Sequence, residues 1–248
     1  MPTLQSLDRA LKVLEIISEE GEAGLTSISK KVGLNKTTTY RILVSLKDNM
    51  YIRQLKNKKY ALTFKMFRLG NRAVQNFDYV AVSKRIITKL ANEVEQEINF
   101  VIQDGNEIIY IDKYVPKKDK NIIKQGKIGK KAPMYCTSSG KAILAYKDQE
   151  EVKKIWDSSE IIKYTSRTIT SFDTLLQDLK RIRKNGYSTE YEEYQLGVYC
   201  IGAPIKNIKG EIVGAISISI PLDDTRGKMF YVDKLKESID KMSNIIEG

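Results

Sequence analysis

The sequence has no histidine. That one absence excludes Ser-His-Asp and Cys-His catalysis, histidine-bound zinc and the HExxH proteases. The two cysteines, Cys136 and Cys200, are too few for a disulfide framework and cannot alone make a structural zinc site. No apolar run reaches about 18 residues, so no transmembrane helix and no membrane partner are expected. The N-terminus, Met-Pro-Thr-Leu-Gln-Ser-Leu-Asp-Arg, lacks the apolar core of a signal peptide, which makes the cytoplasm the expected compartment.

What is present is an ordinary globular composition, 42% hydrophobic and 29% charged, in 248 residues, a length comfortable for two domains. Forty-two basic residues face 31 acidic ones, a net charge of +11. The excess is uneven. Residues 1–77 hold nine Lys and five Arg against two Asp and four Glu, or +8, which leaves only +3 for the rest. A solvated basic surface or a nucleic-acid-binding domain would both explain this charge. The pattern within those residues decides between them.

From Leu7 to Ile17 the apolar residues Leu7, Ala10, Leu11, Leu14 and Ile17 follow helical spacing, with Ser6 as the expected cap and Gly21 and Gly24 as the turn. Thr26 is expected to cap a short second helix burying Leu25, Ile28 and Val32, stopped by Gly33. Asn35 is placed to cap a third, Lys36 to about Lys47, whose inner face carries Thr39, Ile42, Leu43 and Leu46. Two short helices joined by Gly33-Leu34-Asn35 have helix-turn-helix spacing. The outer face of the third helix is Lys36, Thr37, Thr38, Tyr40, Arg41 and Ser45, with no acid before Asp48. Long donors, hydroxyls and one aromatic suit phosphates and base edges in a major groove, whereas a merely solvated face mixes signs. Two short alternating strands then flank Lys56-Asn57-Lys58-Lys59, a hairpin whose Lys56, Lys58 and Lys59 suit a phosphate backbone. A helix-turn-helix followed by a basic hairpin is a winged helix.

Downstream, 63–78 reads as a helical connector with Phe64, Phe67 and Leu69, and Tyr79 to Gln96 as a helix. Strands are expected at 98–104 and 107–115, joined by Asp104-Gly105-Asn106, then at 187–194, 198–208 and 211–220. Helices are expected at 137–146, 150–156, 172–184 and 229–246. The basic stretch 117–131 reads as a solvated loop with a short Ile122-Ile123 strand. Antiparallel strands flanked by helices make an α+β sandwich.

The second half reads as a sensing domain rather than an enzyme. No histidine is available to activate either cysteine, and Cys200 between Tyr199 and Ile201 reads as a core residue. Strand alternation would put Glu190 and Glu192 on one face and Glu193 on the other, so these three do not form one cluster. Thr137-Ser138-Ser139-Gly140-Lys141 opens a helix with small residues whose N–H groups and hydroxyls would favour an anion; a plain N-cap needs no ligand. Ser217 and Ser219 lie two apart on an otherwise apolar strand, an odd core and a reasonable floor for a ligand cavity.

The chain resembles the IclR-type bacterial transcription regulators. The residues carrying the resemblance are Ser6 to Leu14, Gly33-Leu34-Asn35-Lys36-Thr37-Thr38-Thr39-Tyr40-Arg41-Ile42-Leu43, and Tyr60-Ala61-Leu62 leading to Leu69-Gly70. In the second half they are Pro133 to Ala142, Gly197 to Ile205 and Gly214 to Ser219. Two positions depart from the family pattern: Thr39, where an aliphatic residue is usual, and Met50, near which a glycine is usual. The resemblance implies a winged helix-turn-helix domain (1–66), a helical linker (67–78) and a GAF-like effector-binding α/β sandwich with an antiparallel sheet (79–248). It further implies a repressor more than an activator, dimers that often go on to tetramers, and an effector held by Ser138, Ser139, Glu190, Val198, Cys200, Ser217 and Ser219. Expected partners are a double-stranded DNA operator, a small organic-acid effector and further copies of the chain; no cofactor and no metal are expected. The competing readings are a basic RNA-associated protein and, opposed by the missing histidines, a small-molecule enzyme.

Overall fold

The computed structural model describes residues 4–75, 78–116 and 128–246, and within those ranges no side chain of 74–82. The chain divides into two compact units, 1–76 and 77–248.

The first unit runs α1 (Gln5–Glu20), α2 (Leu25–Val32), α3 (Lys36–Asp48), β1 (Ile52–Gln54), β2 (Tyr60–Leu62) and α4 (Phe64–Gln75). Its core is Val13, Ile17, Ile28, Leu43, Ile52 and Tyr60, which locks three helices against a two-stranded antiparallel hairpin. Gly33 ends α2 in the left-handed region, its N–H donating to the Ser29 carbonyl. Asn35 then caps α3 through its side-chain oxygen, which accepts the Thr38 N–H at 2.8 Å. Neither Ser6 nor Thr26 is a cap. Each helix begins two residues earlier than its hydroxyl requires, with Leu4 and Gly24 at the N-cap positions and no side-chain cap bond. The inner stripe of α1 is also rotated from the expected one. Val13, Leu14, Ile16 and Ile17 are buried, while Leu7 and Leu11 face outward with Leu4. On α4, Phe64, Phe67 and Leu69 are likewise exposed.

The second unit is built on a six-stranded sheet, entirely antiparallel, in the order β5-β4-β3-β8-β7-β6. The strands are β3 (Glu97–Asp104), β4 (Glu107–Tyr114), β5 (Lys131–Pro133), β6 (Ser188–Tyr191), β7 (Val198–Lys206) and β8 (Ile212–Pro221). One face carries Ile98, Phe100, Ile201, Ala203, Ile216 and Ile218, and packs on α5 (Asp78–Val94) and α9 (Lys228–Ser243) through Leu90, Tyr231 and Leu235. The other face carries Val101, Ile108 and Ala215 beneath α6 (Ser138–Leu144), α7 (Gln149–Asp157) and α8 (Phe172–Asn185). Helices on both faces of an antiparallel sheet make the three-layer sandwich expected of the sequence. Strand β5 was not expected, and the short strand assigned to Ile122-Ile123 lies outside the described residues. Strand β6 ends at Tyr191, three residues before alternation alone would end it. No described helix is long and apolar enough to cross a membrane.

Two glycines seat α6. A Cβ on Gly140 would fall 2.4 Å from the Met134 Cα, and one on Gly202 would fall 2.8 Å from both the Ser138 carbonyl carbon and the Ser188 Oγ. The Ser188 hydroxyl donates to the Ser138 carbonyl at 2.6 Å, which ties the start of α6 down on β6 and β7.

Candidate functional site

On the first unit, α3 presents Lys36, Thr37, Tyr40, Arg41 and Ser45 to solvent. Thr38 is half-buried and its N–H is used by the Asn35 cap. Thr39 points the other way, fully buried, and its hydroxyl donates to the Asn35 carbonyl at 3.0 Å. That bond explains how a polar residue is tolerated where an aliphatic one is usual: it is satisfied within its own helix turn. Neither Lys36 nor Arg41 meets a carboxylate among the described residues, so the outer face of α3 keeps its positive charge.

The hairpin tip is less uniform than its sequence. Lys56, Lys58 and Lys59 are all exposed, and Lys58 sits in the left-handed region at φ 63°. Lys59, however, is 2.8 Å from Glu22 Oε1, and Asn57 Nδ2 donates to the same oxygen at 3.2 Å. Glu22, in the turn before α2, holds down one of the three lysines expected to be free. Its carboxyl is lowered in pKa by the Lys59 ammonium.

On the second unit, the sheet face under α6 carries a row of polar side chains across five strands. Register pairs Lys113 with Asn99, Asn99 with Ser217, and Ser217 with Gly202. One step along, Glu97 pairs with Ser219, Ser219 with Cys200, and Cys200 with Glu190. Nearly all are buried: Glu97, Asn99, Glu190, Cys200, Ser217 and Ser219 are each 5% exposed or less. They are also linked. Lys113 Nζ lies 2.7 Å from Glu97 Oε2, and Asn99 Nδ2 donates to Glu97 Oε1 at 3.2 Å and to Ser219 Oγ at 3.3 Å. Cys200 Sγ is 3.7 Å from Ser219 Oγ. Val198, two residues before Cys200, shares its face at the strand end and is buried. Ser138 and Ser139 are buried above the β6–β7 end of the row. Some of the polar capacity of α6 is already used: the Gly140 N–H donates to Thr137 Oγ1, and the Ser138 carbonyl accepts from Ser188.

The glutamates correct the alternation argument. Because β6 ends at Tyr191 and Glu192 turns at φ 55°, Glu190 and Glu193 come together and Glu192 leaves. The N–H groups of Glu193 and Tyr194 donate to Glu190 Oε1 at 2.7 and 3.1 Å, whereas Glu192 accepts the Gly197 N–H. Glu193 is buried against Lys141, a fully buried lysine whose ammonium also meets Asp178 at 2.9 Å. Burial pushes Glu193 up to about 7, against the pull of the Lys141 ammonium. Burial also raises Glu97 and Glu190, and holds the thiols of Cys136 and Cys200 protonated. Sequence reasoning missed Glu97, Asn99 and Lys113, and named Lys141 and Glu193 without bringing them together. For Glu97 and Asn99 the signal was there, two polar residues at period two in an otherwise apolar strand.

A winged helix with a bare cationic recognition face, on one chain with a sheet whose buried face is polar, defines a ligand-responsive DNA-binding regulator. Residues 6–56 match the IclR helix-turn-helix domain and residues 71–247 match the bacterial transcriptional regulator IclR C-terminal domain. The chain belongs to the IclR family of transcriptional regulators. It is 34% identical over 220 residues to the HTH-type transcriptional regulator KdgR of Escherichia coli, covering 88% of this chain and 83% of that one. Against the transcriptional repressor IclR of the same organism the identity is 33% over 224 residues, covering 88% and 81%. The structure of the Thermotoga maritima IclR superposes with a TM-score of 0.80 at 27% identity over 99% of this chain and 100% of that one. An IclR homolog from Microbacterium hydrocarbonoxydans, complexed with 4-hydroxybenzoate, shares the fold at a TM-score of 0.86 and 18% identity, over 96% and 98%. The protein is accordingly a DNA-binding transcription regulator with a C-terminal effector-binding domain.

Proposed function

We propose that this chain is a cytoplasmic repressor that binds a palindromic operator as a dimer or higher oligomer and responds to a small organic acid. The observation that carries this reading is the buried polar row, because a regulator that answered to nothing would have no use for carboxylates, hydroxyls and an amide beneath α6. Lys36, Thr37, Thr38, Tyr40, Arg41 and Ser45 contact the major groove, and Lys56, Lys58 and Lys59 the flanking backbone, with Lys59 shared with Glu22. Ser138, Ser139, Glu190, Val198, Cys200, Ser217 and Ser219 hold the effector. One recognition helix reads too few bases for a unique site, so two-fold pairing is required. The outward apolar residues of α1 and α4, Leu4, Leu7, Leu11, Phe64 and Phe67, support such pairing. The relatives named above are regulators, which supports a binding role with no turnover.

The test is a gel shift against the upstream region of its own operon, with and without a panel of keto, hydroxy and sugar acids and neutral aromatics. Retarded DNA that one acid releases is expected, and sedimentation of the free protein should give at least a dimer. Binding to RNA in preference to that DNA, or release only by neutral aromatics, would overturn the reading.

A further inference from the structure

A cleft of about 600 Å³ lies where β7 runs past the end of β6, bounded by the last turns of α9 and by Tyr146 and Gly186, which follow α6 and α8. No residue of the polar row lines it. The last β6–β7 pair is Ser188 with Gly202, so β7 from Ala203 to Lys206 has no strand beside it on that side among the described residues. The Val198 carbonyl accepts from Glu192 on this side, and alternation turns Pro204 the same way. Proline has no N–H to give, so this edge is closed to an added peptide strand. The volume suits a small molecule.

Two cations line the cleft, Lys206 and Lys236, against one acid, Asp240. The Lys206 ammonium lies 4.2 Å from the centre of the Tyr146 ring, and the Lys236 ammonium 5.3 Å from that of Tyr187. Neither makes a hydrogen bond or an ion pair among the described residues. Lysines also gather at helix C-termini, and three helices end here, but each end is closed without these two. Arg183 donates to the Ala145 and Lys147 carbonyls beyond α6. The Gly186 N–H closes α8 onto the Ile182 carbonyl, and the N–H groups of Asn244 and Ile246 close α9 onto Asp240 and Met242. Lys206 and Lys236 therefore keep their donors for something else, parked meanwhile on tyrosine faces, a contact worth only about 0.5–1 kcal/mol at an exposed site.

We propose that this cleft is a second small-molecule site, separate from the polar row, which takes the phosphate monoester of a polyhydroxy compound between Lys206 and Lys236. Two ammonium groups call for two negative charges. A phosphate monoester places both on one group, at about −1.5 to −2 near pH 7, with three acceptor oxygens. The rest of the ligand has to carry donors rather than a second anion, because Asp240 faces it with Ser243 and Asn244. Hydroxyl groups meet all three.

The experiment is a calorimetric titration of the full chain at fixed ionic strength. The probes are ribose 5-phosphate and glucose 6-phosphate, with glucose, inorganic phosphate and succinate for comparison. At least one sugar phosphate is expected to bind saturably, more tightly than inorganic phosphate or succinate, and glucose is not expected to bind. Lys206→Met and Lys236→Met, both exchanges at the surface of the fold, should each weaken that sugar phosphate at least about tenfold. Lys209→Met, on the same turn but outside the lining, should change it less than about threefold. Asp240→Asn should tighten inorganic phosphate, by removing a like charge, and narrow the margin by which the sugar phosphate exceeds it. Ser217→Ala/Ser219→Ala should leave the sugar phosphate unmoved. No sugar phosphate bound, equal losses for Lys206→Met and Lys209→Met, or loss in the serine double variant overturns the site, the last by moving the ligand into the polar row. Sedimentation closes the remaining case: if Lys206→Met or Lys236→Met changes the oligomeric state, the cleft holds a second copy of the chain and the proposal falls.

Discussion

The Lys141 ammonium lies 2.6 Å from Glu193 Oε1, and Lys141 has no solvent exposure. The lysine comes from α6 and the glutamate from the segment that follows β6, so one ion pair joins the two elements that overlie the β6–β7 end of the polar row. Asp178 on α8 completes the group at 2.9 Å and also pairs with Arg181. Two buried charges and a half-buried one, from three elements, hold only as a set.

Removing the cation should therefore be severe. Lys141→Met keeps the length of the side chain and leaves Glu193 and Asp178 without their shared partner. A loss of roughly 3–5 kcal/mol is expected at neutral pH. The single tryptophan, Trp156, sits on α7 against Tyr135 and Phe172, so its fluorescence reports the second unit alone. A urea midpoint followed by Trp156 measures the loss. Lys141→Met/Glu193→Gln should recover part of it, and an additive double mutant would mean that the two residues do not interact.

The same pair sets a pH dependence. Burial raises Glu193 to about 7 in the folded chain against 4.5 for the unreacted group, with Lys141 pulling it down and Glu190 and Asp178 pushing it up. Between those values the folded protein keeps a proton that the unfolded chain has released. Stability is then fully present below about 4.5 and falls as the pH rises through about 7, by at most on the order of 3 kcal/mol. Glu97 and Glu190 are raised as well and add slope of the same sign. Glu193→Gln should flatten the dependence of the Trp156 midpoint between pH 5 and 7 without abolishing it, at approximate values set by these shifts. An unchanged slope would remove Glu193 from the account.

Gly202 lets α6 approach the sheet. A Cβ there would fall 2.8 Å from the Ser138 carbonyl carbon, which is backbone and cannot swing aside. Gly202→Ala should cost about 1–3 kcal/mol through overpacking and displace Ser138 and Ser139 from the row. Effector-induced thermal shift should be lost, while operator binding in the absence of effector stays intact. A Gly202→Ala protein with a normal shift would show that α6 need not seat so closely.

Much of this was legible in the sequence. The helix-turn-helix followed from Gly33, from Asn35 and from the lone sign of the α3 face, all local signals that the structure bears out. The same-face placement of Ser217 and Ser219 followed from strand period. What failed were features decided by tertiary packing. Ser6 and Thr26 look like caps, yet each helix starts two residues before its hydroxyl could cap it. Alternation separated Glu190 from Glu193, because nothing local says that β6 stops at Tyr191 or that Glu192 takes φ 55°. The joining of Lys113, Glu97 and Ser219 depends on strand order β4-β3-β8, a pairing across more than a hundred residues that no spacing reveals.

The hairpin lysines should not behave alike. Lys58 lies at the tip with no carboxylate partner among the described residues, whereas Lys59 is shared with Glu22 at 2.8 Å. Each phosphate contact contributes about one unit to the slope of log affinity against log salt. Lys58→Ala should thus weaken all DNA alike and flatten that slope by roughly one unit. Lys59→Ala should flatten it by less, since part of its charge is already countered by Glu22. Glu22→Gln should do the reverse and steepen the slope by freeing Lys59, with no change in base preference. Arg41→Ala belongs to a different class: if the α3 face reads bases, it should cost about 1–3 kcal/mol at the operator and relax discrimination at one position. Competition footprinting of the four variants at several salt concentrations separates charge from readout. Equal slopes for Lys58→Ala and Lys59→Ala would mean that DNA displaces Glu22 from Lys59. An Arg41→Ala protein that protects the operator at unchanged affinity would move the reading face off α3.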